Sequence, residues 1–269
     1  GSAPAAFARP ALAETTVRFL GEPVAVVVAE TRAQALDAVE AVAVDYEPLP
    51  VVVDPLEAAG HQAPLLFPKA GSNLAKQRAW PKTSTALEGA EVVVTARFVN
   101  QRLAAVPLEP TAALAVPDPE RDALTLYVPC QAPFWVRDIV AEALGLPADR
   151  VRVVAPAVGG GFGARIATYP EQVVVAALAR RLGRPVRYVE SRSESMLAMT
   201  HGRAQVQEVE LGATRDGTLT GLRARVVGDG GAYPGEAAYL PASTRLMASG
   251  VYRIPRVEVA TACVVTTPP

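Results

Sequence analysis

Four glycines within five residues, Gly159-Gly160-Gly161-Phe162-Gly163, stand between a β-branched run at 151–155 and a helix-patterned segment at 171–182 with Pro170 at its start. Glycine has no Cβ, so such a cluster belongs where the backbone takes positive φ or where something large comes close. From the residues alone two readings stay open. One is a tight strand-to-helix turn that holds nothing, and the other is a projecting loop that receives a ligand. The stretch Gly159 to Ala164 also satisfies the GxGxxG/A pattern, and Glu190, ending the next strand, stands where a ribose-binding acid would. In a dinucleotide fold, however, the helix opens on the glycines and the acid follows after about 20 residues. Here the helix starts at Tyr169-Pro170-Glu171 and Glu190 comes later, so the loop projects instead of capping the helix.

Upstream, residues 132–144 place Pro133 at a helix start, put Val136, Ile139, Val140, Ala143 and Leu144 on one face, and end on Gly145 and Pro147. Phe134 and Trp135 are expected in the core along that helix. Strands are expected at 92–98, 112–116, 124–128 and 186–189, and Asp216-Gly217 between two apolar runs signals a hairpin. Near the start of the chain, residues 24–29 suit a buried strand. Thr31 to Gln34 have capping-box spacing, and Ala35, Leu36, Val39 and Val42 form the stripe of the helix that follows. Residues 54–90 carry Pro, Gly, Ser and Lys without period and read as a linker, with the domain boundary near residue 85. Arg192, Glu194 and His201 are expected in a solvated loop, and Gly228 to Tyr233 in a turn or bulge.

The chain balances 26 Lys+Arg against 27 Asp+Glu. Neutralising phosphates needs a clustered cationic excess, so no nucleic-acid partner is expected. Arg180, Arg181 and Arg184 suit a helix C-terminus, where cations complement the dipole. Cys130 and Cys263 are far apart and build neither a disulfide framework nor a CxxC site, which makes the cytoplasm the expected compartment. His61 and His201 show no metal-ligand spacing. No side chain is therefore expected to bind a metal directly, and any metal must bring its own ligands. No apolar run reaches the roughly 18 residues of a membrane helix, and Gly1 to Pro4 lack the order of a signal peptide, so no membrane association is expected.

Order and spacing then carry a resemblance. Gln131-Ala132-Pro133-Phe134, Leu144-Gly145-Leu146-Pro147, Val151-Arg152-Val153-Val154 and Val158 through Arg165 resemble the molybdopterin-binding large subunit of the xanthine dehydrogenase and aldehyde oxidase family. Val99-Asn100-Gln101-Arg102 with Pro107-Leu108-Glu109-Pro110 is similar to the family's segment just upstream. Leu20 through Val27 is similar to the second half of its preceding hammerhead domain. Within the family the flavour is that of bacterial carbon monoxide dehydrogenase large chains and aldehyde dehydrogenases. The resemblance implies an α+β (mixed α/β) fold: a partial α/β hammerhead over residues 1–60, a linker over 61–85, and the first half of a molybdenum-cofactor-binding domain over 86–269. It implies an oxidoreductase carrying molybdenum–molybdopterin that hydroxylates a small substrate, an aldehyde or a CO-like compound, with water-derived oxygen. Iron–sulfur and FAD subunits are the implied electron acceptors.

By match to the family motif, Gln131 aims its side-chain amide at a metal oxo group, and Gly160, Gly161, Phe162 and Gly163 contact the cofactor through bare backbone. By itself Gln131 reads as an N-cap or strand-end polar residue, but a neutral amide donor does suit an oxo group that gains negative charge. The family's second cofactor half, with the glutamate that acts as general base, is expected beyond Pro269. No residue here takes the catalytic role, and the isolated chain is expected to be inactive and poor in cofactor. Purine-hydroxylating members place a substrate-binding glutamate where this chain has Ile166, so a purine is not the expected substrate. Self-association is expected through an open strand edge at 261–267. A dinucleotide-binding domain and a non-catalytic assembly scaffold are the alternatives.

Overall fold

A computed structural model describes residues 5–269. In chain order its elements are α1 (Arg32–Glu40), α2 (Pro55–Ala58), β1 (Leu74–Arg78), β2 (Val92–Leu103), β3 (Ala112–Asp118), β4 (Ala123–Tyr127), α3 (Pro133–Leu144), β5 (Val151–Val154), α4 (Pro170–Leu182), β6 (Val186–Val189), α5 (Arg192–Ala198), β7 (Gly202–Ala213), β8 (Leu219–Asp229), α6 (Leu240–Leu246) and β9 (Val257–Val264). The fold is mixed α/β with two mixed sheets, as expected. The chain divides into two compact units. One joins Arg9–Pro50 to Ala105–Met199, and the other joins Val51–Ala104, Thr200–Pro269 and the described residues before Arg9. Among the described residues no helix is long and apolar enough to cross a membrane.

The first unit is built on a four-stranded sheet in the order β5-β4-β3-β6. β4 and β5 run parallel, while β3 is antiparallel to both β4 and β6. Alternation along β3 and β4 turns Ala113, Ala115, Leu124 and Leu126 to one face, where they pack with Val136 and Val140 of α3 and Val175, Ala176 and Ala179 of α4. Both helices begin on proline and end on a glycine in the left-handed region, Gly145 and Gly183 at φ 64°. Arg180 and Arg181 occupy the last turn of α4. Phe134 and Trp135, expected in the core, are 69% and 55% exposed. The stripe of α3 that reaches the core is Val136, Val140 and Ala141, while Ile139, expected on the same face, is 45% exposed.

The start of this unit also departs from expectation. α1 has its capping box, with Thr31 and Gln34 exchanging bonds, yet it buries no residue. Residues 24–29 join no strand, and Val26 and Val28 are 45% and 44% exposed. A strand needs a neighbour to satisfy its backbone, and no described residue supplies one here.

The second unit carries a five-stranded sheet in the order β1-β9-β8-β7-β2. The hairpin at Asp216-Gly217 forms as expected, with Gly217 at φ 91° and the Asp216 carboxylate accepting from Thr218 N–H at 3.2 Å. The stretch read as a linker contains β1, which pairs with β9, and buried Asn73. That side chain accepts from Leu66 N–H at 3.1 Å and donates to the Pro64 carbonyl at 2.8 Å, while Phe67 packs edge-on against Phe7 and Tyr233. Side-chain bonds and aromatic contacts order this segment, and neither leaves a period in the sequence. β9 was expected to offer an open edge, but it is paired on both sides, with β1 and β8, and β2 is an edge strand instead. Gly231, in the turn after β8, makes room for the chain end: a Cβ there would meet the Pro269 carbonyl oxygen at 2.5 Å.

Leu126 is fully buried and Leu36 is 55% exposed, so truncation separates them. Leu126→Ala is expected to lower stability by about 2–5 kcal/mol and Leu36→Ala by less than about 0.5 kcal/mol, as read from urea midpoints by circular dichroism.

Candidate functional site

Strand direction gathers the polar residues. Because β4 and β5 are parallel, the segments that follow them leave the sheet at the same edge, and these hold Gln131 and the glycine loop. β3 is antiparallel to β4 and enters from that edge, directly after Glu109 to Thr111. β6 pairs Val189 with Ala112 and ends there, at Glu190. Ligand sites of open α/β sheets form at such carboxyl ends.

At this edge one carboxylate oxygen of Glu109 accepts from Gly159 N–H at 2.7 Å and from Arg165 Nη1 at 2.6 Å. Arg165 Nη2 also donates to the Glu109 carbonyl, and Glu109 N–H donates to the Gly159 carbonyl at 3.3 Å. Arg165 is 1% exposed, and its Nε is buried without an acceptor among the described residues. Gln131 lies over the loop. Its Oε1 accepts from Gly163 N–H at 2.9 Å and Arg165 N–H at 3.3 Å, and its own N–H donates to the Arg165 carbonyl at 2.9 Å. With Oε1 held inward, the side-chain NH2 group finds no acceptor among the described residues.

The need for glycine now has local causes. A Cβ on Gly159 would meet Glu109 Cβ at 2.5 Å, and one on Gly161 would meet Gln131 Cδ at 2.6 Å. Gly160 and Gly163 take φ of 104° and 85°. Phe162 also adopts positive φ, 54°, which costs an L-residue about 1–2 kcal/mol, and the residue is 76% exposed. The N–H groups of Gly160, Gly161 and Phe162 find no acceptor among the described residues. Three backbone donors of the loop are therefore open, alongside the carbonyls of Gly160 and Phe162, which accept from no described residue. Gly163 N–H, by contrast, is occupied by Gln131.

Glu190 does not face a ligand. It is buried, and its carboxylate accepts from Thr111 N–H while its own N–H donates to the Thr111 carbonyl at 3.0 Å, which removes the acid that a dinucleotide site would need. Arg192 and Glu194 lie on α5 instead of in a loop. Glu194 closes the capping box with Ser191, and Arg192 donates to the Leu108 carbonyl at 2.8 Å. Burial pushes the Cys130 thiol above its usual range, opposed by the Ala132 N–H. Partly buried Glu171, at the start of α4, is pushed up to about 7, chiefly by burial. Its own N–H and Arg9 oppose the shift, and the negative charges of Glu190 and Glu194 add to it. Among the described residues no group of three His, Cys, Asp or Glu is placed to hold a metal ion. In the sequence Glu109 and Arg165 stand out only as parts of motifs. Their pairing, 56 residues apart, leaves no local pattern to read.

These features define a chain whose loop and sheet edge leave backbone and amide donors open. The family model "Molybdopterin cofactor-binding domain" matches residues 66–269, and "Aldehyde oxidase and xanthine dehydrogenase, a/b hammerhead domain" matches residues 2–50. The chain belongs to this molybdopterin-binding large-subunit family. It is 37% identical to the carbon monoxide dehydrogenase large chain of Hydrogenophaga pseudoflava, over 91% of this chain and 33% of that one. It is 34% identical to the nicotine 6-hydroxylase large subunit of Paenarthrobacter nicotinovorans, over 94% and 32% of the two chains. The solved quinoline 2-oxidoreductase of Pseudomonas putida 86 superposes with a TM-score of 0.89 at 34% identity, over 96% of this chain and 34% of that one. The chain thus spans about a third of the length of these relatives.

Two outcomes follow for this edge. Phe162→Gly relieves the left-handed strain while removing little packed surface and is expected to raise stability by about 0.5–1 kcal/mol in urea unfolding. Between about pH 4.5 and 7 the folded chain keeps a proton on Glu171 that the unfolded chain has released. Stability is therefore expected to fall as pH rises through that window and to level off above it, and Glu171→Gln should remove this component from urea midpoints taken across the same range.

Proposed function

We infer that this chain forms the cofactor-facing edge of a molybdenum hydroxylase large subunit. The observation that carries this reading is the donor set: the Gln131 NH2 group and the unpartnered N–H groups of Gly160, Gly161 and Phe162 share one sheet edge. Donors with no competing acceptor fit an oxygen-rich, negatively charged group, so the residues present fit molybdenum–molybdopterin. When bound, the cofactor supplies the redox chemistry of hydroxylation with water-derived oxygen. Gln131 would orient its oxo-bearing end, the loop amides would stabilise charge that grows there during turnover, and Gly163 would act indirectly by holding Gln131.

The remaining assignments extend this reading along the family resemblance. The substrate is a small molecule of the aldehyde or CO-like class, in keeping with the carbon monoxide dehydrogenase relative, and the nicotine and quinoline relatives make an N-heteroaromatic ring the competing class. The electron acceptors are iron–sulfur and FAD subunits, and the general base comes from a part of the large subunit outside these 269 residues. Residues 1–60 act as hammerhead and 86–269 as cofactor domain, and β1, within 61–85, belongs with the latter through its pairing with β9. A non-catalytic scaffold would have no use for the unpartnered donors.

The test is co-expression with the remainder of a large subunit in a host that makes molybdopterin. Molybdenum and pterin are expected in equal amounts in the purified assembly, and oxygen from labelled water is expected in the oxidised product. Turnover by an assembly free of both molybdenum and pterin would overturn the reading. NAD or FAD bound over Gly159 to Ala164 would favour the dinucleotide alternative instead.

A further inference from the structure

Glu109 belongs to none of the roles assigned above, yet it touches both ends of the glycine loop. Its Oε2 accepts from Gly159 N–H at one end and from the Arg165 guanidinium at the other, and its backbone pairs with the same two residues. Arg165 in turn meets Gln131 twice through its backbone, N–H to Oε1 and carbonyl from N–H. The contacts therefore run without a gap from Glu109 through Arg165 to Gln131. The guanidinium is 1% exposed, so moving it means either burying an unpaired cation or opening the edge.

An amide side chain has two nearly isosteric ends, and only its surroundings decide which faces outward. For Gln131 the deciding groups are Gly163 N–H and Arg165 N–H, and both lie on the loop that Glu109 closes. We propose that Glu109 is a positioning residue of this site. Its carboxylate ties the two ends of the loop together and, through Arg165, fixes Gln131 with its NH2 group outward. The benefit to a bound oxo group rests on the cofactor reading above; the positioning itself is a property of this chain.

The test uses the 15N-labelled 269-residue chain. Amide hydrogen exchange and the side-chain NH2 signals of Gln131 are recorded in the parent chain and in Glu109→Gln, Arg165→Met and Arg165→Lys. In the first two variants Gly163 and Arg165 amides are expected to exchange on the order of tenfold faster, as for loss of a charge-assisted bond. The Gln131 NH2 pair should collapse toward the signals of a freely rotating glutamine, with core amides of Leu126, Val140 and Ala176 unchanged. Arg165→Lys keeps the charge beside Glu109 and is expected to restore Gln131 order in part. Unchanged Gln131 signals in both Glu109→Gln and Arg165→Met would overturn the proposal. So would loss of protection in loop and core together in all three variants, which would make the pair a support of the fold and nothing more. No cofactor enters these measurements. A failure to find molybdenum in the assembly would thus remove the proposed function and leave the positioning result standing, and the reverse failure is equally separable.

Discussion

The parallel pairing of β4 with β5 is the constraint on which the candidate site depends. Parallel neighbours cannot be joined by a tight turn, so the chain must cross over, and α3 makes that crossing. The crossing has two effects. Its buried stripe, Val136 and Val140, seals the sheet and makes it rigid, and its geometry brings the ends of both strands to a single edge. An antiparallel pair would have sent Gln131 and the glycine loop to opposite edges. The antiparallel placement of β3 beside β4 then brings Glu109 to the same place from the other chain direction.

On that platform the chemistry is set by what is left over. Glu109 and the inward oxygen of Gln131 consume some of the loop's donors, while the amides of Gly160, Gly161 and Phe162 stay open. The backbone accepts strain at Phe162 to turn these groups outward, and the surrounding hydrogen bonds over-determine that conformation. Glu171 and Glu190, the other acids near the loop's flanks, do not compete for a ligand. Burial raises the pKa of one to about 7, and the other is committed to Thr111.

How much was legible depended on whether the deciding interaction was local. α3 and α4 announced themselves because proline, an apolar stripe and a terminal glycine all lie within one element. The β7–β8 hairpin was legible for the same reason, through Asp216-Gly217. Residues 24–29 misled because apolar, β-branched composition reports a tendency to pair, not the presence of a partner. β1 was hidden because its order comes from Asn73, Phe67 and a strand far away in sequence. Gln131 and the glycine loop could be marked as candidates from their motifs. Glu109 and Arg165 could not be joined, since nothing in either neighbourhood indicates the other.

The close seating of Gln131 over Gly161, and of Glu109 against Gly159, bears on how such a loop can be inherited. Even a methyl group at position 161 would occupy the volume of the glutamine side chain, and one at 159 would strike the glutamate. Neither glycine can drift alone, because the first step on any mutational path already displaces its partner. Each glycine is interlocked with a residue in a distant part of the chain, so a lineage that changes one must change the other almost at once. Divergence in this family should accordingly run through the surfaces around the loop and leave these two interlocked pairs intact.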